Sequence, residues 1–174
     1  MSIPNLITLI RIILIPWFAI LLINGSFNIA LWVFAGAAVT DLLDGLAARW
    51  FSQKTRLGSF LDPIADKMLL STAFIALAVL KEIPVWLSVI VISRDVVILL
   101  GVSIFFLNQI HFEIKPTVYS KLTTVFQLLL ILVVLASGII PFGDYVRQGL
   151  VFTTLIFTVF SGLHYVHSGL KILR

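Results

Sequence analysis

Runs such as LSVIVIS, VVILLGVSIFFL and VFQLLLILVVLA dominate this chain, and only short breaks separate them. Uncharged runs of this kind belong either in a large soluble core or in a bilayer, whose hydrocarbon takes roughly 20 apolar residues per helix. Composition decides between the two. Of 174 residues, 60% are hydrophobic and only 11% are charged, with a mean hydropathy of +1.15. Too few polar groups remain to coat a water-facing exterior. In hydrocarbon every backbone N–H and C=O must be satisfied within the protein, a condition that helices meet by themselves. The expected fold is all-α: a polytopic integral membrane bundle.

The breaks divide the chain into six predicted helices at about 5–23, 28–50, 58–79, 84–108, 117–137 and 147–168. NGSFN, KEIP and SGIIPFGDY mix Gly, Pro, Asn and Ser as turns do. FSQKTR and NQIHFEIKP carry more charge. Six spans put both termini on one side, which then holds Arg49, Lys54, Arg56, Lys115, Lys121, Lys171 and Arg174. The opposite loops hold Lys81 and Arg147. Lys/Arg bias sets orientation, so the termini and the two charged connections are expected to face the cytoplasm. The same bias accounts for a net charge of +4 without invoking nucleic acid. The opening MSIPNLITLIRIILIPWFAILL has no basic region ahead of its apolar run, so it reads as a first spanning helix rather than a signal peptide. With no cysteine present, disulfides, thiolate catalysis and thiolate-held metals are excluded. Residues 1–174 read as a single membrane domain.

Against this background the stretch DLLDGLAARWFSQKTRLGSFLDPIAD stands apart, because it gathers four of the eight acidic residues. Asp41 and Asp44 are three apart near the end of the second helix; Asp62 and Asp66 are four apart near the start of the third. Each pair shares a helix face, and the hairpin between them can bring both faces together. Four neighbouring carboxylates repel one another and resist burial unless a positive charge joins them. Hard oxygen ligands select Mg²⁺, Mn²⁺ or Ca²⁺, and four carboxylates suffice for two ions. A purely structural use as helix caps and partners of Arg49, Arg56 and Lys67 is the weaker reading, since ionisable groups within a membrane are expensive and default to function. A cation transporter is the competing non-enzyme class. It would spread acids along a path or break its helices, whereas these acids sit at one membrane level beside glycines.

The stretch reads D-x2-D-G-x2-A-R-x8-G-x3-D-x3-D from Asp41 to Asp66. This resembles the signature of the CDP-alcohol phosphatidyltransferase family, with every fixed position filled. The resemblance implies a six-helix membrane enzyme, usually homodimeric, whose site opens to the cytoplasm. It implies transfer of a phosphatidyl or similar group from a CDP-linked donor to an alcohol, with release of CMP. It makes Asp41, Asp44, Asp62 and Asp66 ligands of two Mg²⁺ or Mn²⁺ ions, with Asp66 also the general base. Gly45, Ala48 and Gly58 match positions lining a cytidine pocket, and Arg49 lies nearer to phosphate charge.

A wider resemblance concerns the acceptor. IPNLITLIRI, FNIALWVFAG, LGSFLDPIADK, ISRDV and KPTVYSKLTTVFQ are similar to the mitochondrial-type cardiolipin synthases within that family. This implies CDP-diacylglycerol as donor and phosphatidylglycerol as acceptor. The rival group, the phosphatidylglycerophosphate synthases, uses glycerol 3-phosphate and generally carries Arg-Glu where this chain has Arg94-Asp95. Arg94, in the middle of the fourth helix, must find an anion, either substrate phosphate or an internal partner. Lys115, Ser120 and Lys121 could form an anion pocket with it or simply a wet helix end. His164 and His167 lack a third ligand and read as an interfacial helix end. Without the leader that mitochondrial import requires, the chain is expected in a prokaryotic cell membrane.

Overall fold

The computed structural model describes the backbone of residues 3–51, 56–107 and 118–172, and the side chains of 10–40, 67–101, 103 and 118–169. Among these residues there are six α-helices and no strand. They are α1 (Ile3–Ile23), α2 (Phe27–Phe51), α3 (Arg56–Val79), α4 (Val85–Leu107), α5 (Val118–Ala136) and α6 (Asp144–Ile172). The sequence-based boundaries hold to within a few residues except in α6, which starts at Asp144 and runs on to Ile172. Asp144 in the first turn suits the positive end of the helix dipole. At the other end His167, Ser168 and Lys171 bound the apolar span without stopping the helix. Hydropathy marks the first limit, and backbone hydrogen bonding the second.

Two turns have the same cap. After α1, Gly25 adopts a φ of 70°, with Ser26 N–H donating to Leu21 C=O and Gly25 N–H to Leu22 C=O, both at 2.9 Å. After α3, Lys81 takes the equivalent place at φ 62°. There Glu82 N–H donates to Leu77 C=O at 2.8 Å and Lys81 N–H to Ala78 C=O at 3.0 Å. Both are Schellman caps, which satisfy the last helical carbonyls through a left-handed residue, usually glycine. At this end of the bundle Arg147 of α6 donates to Glu82 at 2.7 Å, clamping the α3–α4 turn to α6.

Packing is led by large apolar side chains between helices. Phe18, Leu22, Phe34, Phe74, Leu77, Leu87, Leu130, Ile131 and Leu135 are fully buried, and the rings of Phe18 and Phe34 meet at 5.6 Å. Helix α1 packs on α2 and α3, α4 on α3 and α6, and α5 on α2 and α6. The α5–α6 seam also carries polar groups. Thr123 donates to Phe157 C=O at 2.9 Å and Thr154 to Phe126 C=O at 3.3 Å, while the rings of Phe126 and Phe157 stack at 4.7 Å. Hydroxyls bonding across helices are the glue used where the solvent is as oily as the core.

The exterior completes this pattern. Trp32 is 73% exposed, Val79 74%, Ile23 71% and Leu163 65%. Water would penalise so continuous an apolar surface; hydrocarbon would not. Among the described residues, helices α5 and α6 are long and apolar enough to cross a membrane.

Candidate functional site

Helix α2 carries Asp41, Asp44, Gly45, Ala48 and Arg49, and α3 carries Gly58, Asp62 and Asp66. Both segments are helical throughout, α3 continuing through Pro63. Positions 41 and 44 therefore share one side of α2, and positions 62 and 66 one side of α3. The side chains of 41–66 lie outside the described residues, as does Lys115 altogether. A donor set made only of carboxylate oxygens, paired at one-turn spacing on two helices, suits a hard divalent cation such as Mg²⁺ or Mn²⁺.

One residue beyond this motif begins a polar network that joins four helices. Lys67 of α3 pairs with Asp95 of α4. The same carboxylate oxygen accepts from Arg94 Nη1 at 2.6 Å. Arg94 Nη2 donates to Ser120 of α5 at 2.8 Å and to Ser161 of α6 at 2.7 Å. Arg94 is 6% exposed and Asp95 3%. A Cβ at Gly162 of α6 would meet the Arg94 side chain at 3.4 Å, an ordinary van der Waals contact, so α6 packs closely here. The anion demanded by an arginine at this depth is thus its own neighbour in sequence. Among the acceptor candidates Arg94 and Ser120 are brought together, while Lys121 is exposed. His164 and His167 are exposed, and the His164 ring meets that of Tyr119 at 5.8 Å.

Sequence reasoning passed over Arg11. It lies in α1 and is 2% exposed. The signal was available, since a single cation inside LITLIRIILI is an intramembrane charge and such charges default to function. Arg11 lines a groove of about 320 Å³ between α1 and α2, together with Ile10, Leu14, Trp32, Val33, Gly36, Ala37 and Thr40. Thr40, at one end, immediately precedes Asp41. Its hydroxyl is turned back onto the carbonyls of Gly36 at 3.0 Å and Ala37 at 2.9 Å.

Comparison with known proteins adds to this geometry. A Rattus norvegicus protein described as cardiolipin synthase (CMP-forming) is 37% identical, over 98% of this chain and 62% of its own length. The Homo sapiens protein of that description gives the same figures of 37%, 98% and 62%, so the chain spans about three fifths of these relatives. A probable phosphatidylglycerophosphate synthase of Mycobacterium tuberculosis is 32% identical, over 98% of this chain and 82% of its own. A CDP-diacylglycerol–glycerol-3-phosphate 3-phosphatidyltransferase of Aquifex aeolicus is 31% identical, over 99% and 98%. The profile of the CDP-alcohol phosphatidyltransferase family matches residues 1–160. With the match extending over nearly all of α1–α6 and every position of the aspartate motif filled, the chain belongs to the CDP-alcohol phosphatidyltransferase family.

Proposed function

We propose that this chain is a membrane enzyme that transfers the phosphatidyl group of CDP-diacylglycerol to a hydroxyl of phosphatidylglycerol, giving cardiolipin and CMP. The observation that carries the reading is the complete aspartate motif on α2 and α3, in a chain 37% identical to proteins described as cardiolipin synthases. The acceptor hydroxyl attacks the phosphatidyl phosphorus, the bond from that phosphorus to the oxygen shared with the cytidylyl phosphate breaks, and CMP departs. Asp66 takes the hydroxyl proton, as a general base within hydrogen-bond reach must. Asp41, Asp44, Asp62 and Asp66 would hold two Mg²⁺ or Mn²⁺ ions, whose chemistry when bound is to neutralise the diphosphate and charge developing on the leaving group. Gly45, Ala48, Arg49 and Gly58 receive the nucleotide.

On the acceptor side stand Arg94, Lys115, Ser120 and Lys121, and the Arg94–Ser120 hydrogen bond supports treating two of them as one unit. The buried Arg94–Asp95 pair also favours a lipid acceptor. Free glycerol phosphate carries nearly two charges and calls for a dense set of donors, whereas the Arg94 guanidinium is already committed to Asp95, Ser120 and Ser161. Glycerol 3-phosphate is the second reading, favoured by the relatives at 31–32% identity. In this reading all six helices span a prokaryotic cell membrane with both termini cytoplasmic. The Lys/Arg bias supports that orientation, all the more because Arg147 on the other side is paired with Glu82. The working unit is a homodimer, as the family resemblance implies, and light scattering of the detergent-solubilised protein tests it.

The deciding experiment supplies purified protein and Mg²⁺ with CDP-diacylglycerol plus either phosphatidylglycerol or glycerol 3-phosphate, and resolves the lipid products. Cardiolipin from the first mixture is expected. Phosphatidylglycerophosphate from the second, without cardiolipin from the first, would overturn the acceptor. Absence of CMP release with every alcohol would overturn the enzyme.

A further inference from the structure

We infer that Lys67 and Asp95 are positioning residues for the aspartate motif: their ion pair sets the rotation of α3 about its axis, and with it the place of positions 62 and 66. This rests on the proposed metal-assisted chemistry. Polar bonds hold the seam between α3 and α4 at two points. Ser88 Oγ–H donates to Phe74 C=O at 2.9 Å, and Lys67 pairs with Asp95. Lys67 and Phe74 stand two helical turns apart on α3, as do Ser88 and Asp95 on α4. Both points therefore lie along one antiparallel seam, and the charged one is a single residue from Asp66.

Directional contacts matter here because the remaining packing is oily on every side. Leu69, Leu70, Ala73 and Leu77 are buried, while Met68 between them is 48% exposed. Apolar burial is non-directional, and in hydrocarbon a turn of the helix exchanges one apolar environment for another. Asp95 makes a firm post against such a turn. It accepts from Arg94 at 2.6 Å, and Arg94 is tied to Ser120 of α5 and Ser161 of α6. By helical register, position 66 continues the stripe of Leu70, Ala73 and Leu77, and position 62 lies one turn earlier. Lys67 follows at about 100° round the helix, so a hold on Lys67 fixes the angle of both positions. A turn of about 10° moves a group at a radius of about 6 Å by roughly 1 Å. Mg²⁺ tolerates little of this, since it demands near-ideal ligand geometry.

The test reads Mn²⁺ alone, without lipid or turnover. Detergent-solubilised protein is titrated with Mn²⁺, and the free ion is followed by electron paramagnetic resonance. Lys67→Met keeps an apolar stem and leaves Asp95 its bond to Arg94, so no buried charge is stranded. Thermal unfolding checks each variant, and Lys67→Gln stands in should the methionine variant fail to fold. Through charge alone, removing a cation beside carboxylates tightens Mn²⁺ binding; loss of position weakens it. Lys67→Met is therefore expected to raise the Mn²⁺ dissociation constant about tenfold or more, as loss of an outer-shell contact does. Lys67→Arg, which keeps the ion pair, should restore most of the affinity. Asp95→Asn should weaken binding likewise, and the double change with Lys67→Met no further than either alone. Unchanged or tighter binding in Lys67→Met, no rescue by arginine, or losses that multiply in the double variant would each overturn the inference. If the unaltered protein holds no Mn²⁺, the metal reading falls and this inference with it. If it holds Mn²⁺ but releases no CMP, the proposed reaction fails while the positioning effect is still measured.

Discussion

Replacing Asp95 by leucine is expected to harm the fold more than replacing Arg94 by leucine, although the two residues form one ion pair. The asymmetry comes from Lys67. In Arg94→Leu, Asp95 keeps its contact with Lys67, so no buried charge is stranded. What disappears is the bond to Asp95 and those to Ser120 and Ser161, a loss of about 1–3 kcal/mol. In Asp95→Leu, Arg94 remains a cation whose side chain is 4% exposed, with two hydroxyls for company and the Lys67 ammonium close by. Removing one partner of a buried pair costs about 3–5 kcal/mol. The double change, Arg94→Leu with Asp95→Leu, removes both buried charges and leaves Lys67, whose side chain is 27% exposed, able to reach water. The double variant should therefore be more stable than Asp95→Leu alone. Thermal unfolding in detergent, followed by tryptophan fluorescence, reads the order of the midpoints. A gap of about 2 kcal/mol between the single variants corresponds to roughly 4–8 °C in a chain of this size. Equal midpoints for the single variants, or a double variant less stable than either, would refute the reasoning.

Three further outcomes are expected. Asp66→Asn should abolish CMP release while donor binding persists; near-normal turnover at saturating Mg²⁺ would remove Asp66 from the role of base. Chelation with EDTA should stop the reaction, and Mg²⁺ or Mn²⁺ should restore it, whereas turnover in excess chelator would exclude the metal-held diphosphate. Lys81→Gly should raise the unfolding midpoint by about 2–4 °C, because Lys81 holds a left-handed φ of 62° that costs an L-residue roughly 1 kcal/mol or more. An unchanged or lower midpoint would mean that chain entropy offsets the strain.

Helix number, helix order and the aspartate motif were legible in the amino-acid sequence because each depends on local quantities. Apolar runs of about 20 residues define spans, NGSFN and KEIP break them, and fixed spacing puts Asp41 with Asp44 and Asp62 with Asp66 on shared helix faces. Arg94 was legible in part. Its depth required an anion, but the choice between an internal partner and substrate phosphate could not be read from spacing. The start of α6 was misplaced by three residues because GDY carries turn residues, although Asp144 is equally suited to a helix's first turn.

Tertiary structure alone decided which way each helix faces. In a soluble protein one apolar stripe marks the core, and sequence periodicity reveals it. Here both the core and the surroundings are apolar, so Trp32 at 73% exposure and Phe34 at 0% read alike in the sequence. The burial of Arg11, the meeting of Lys67, Arg94, Asp95, Ser120 and Ser161 from four helices, and the groove beside Thr40 all depend on helix rotation. Rotation is set by small residues, cross-helix hydroxyls and shape rather than by hydropathy.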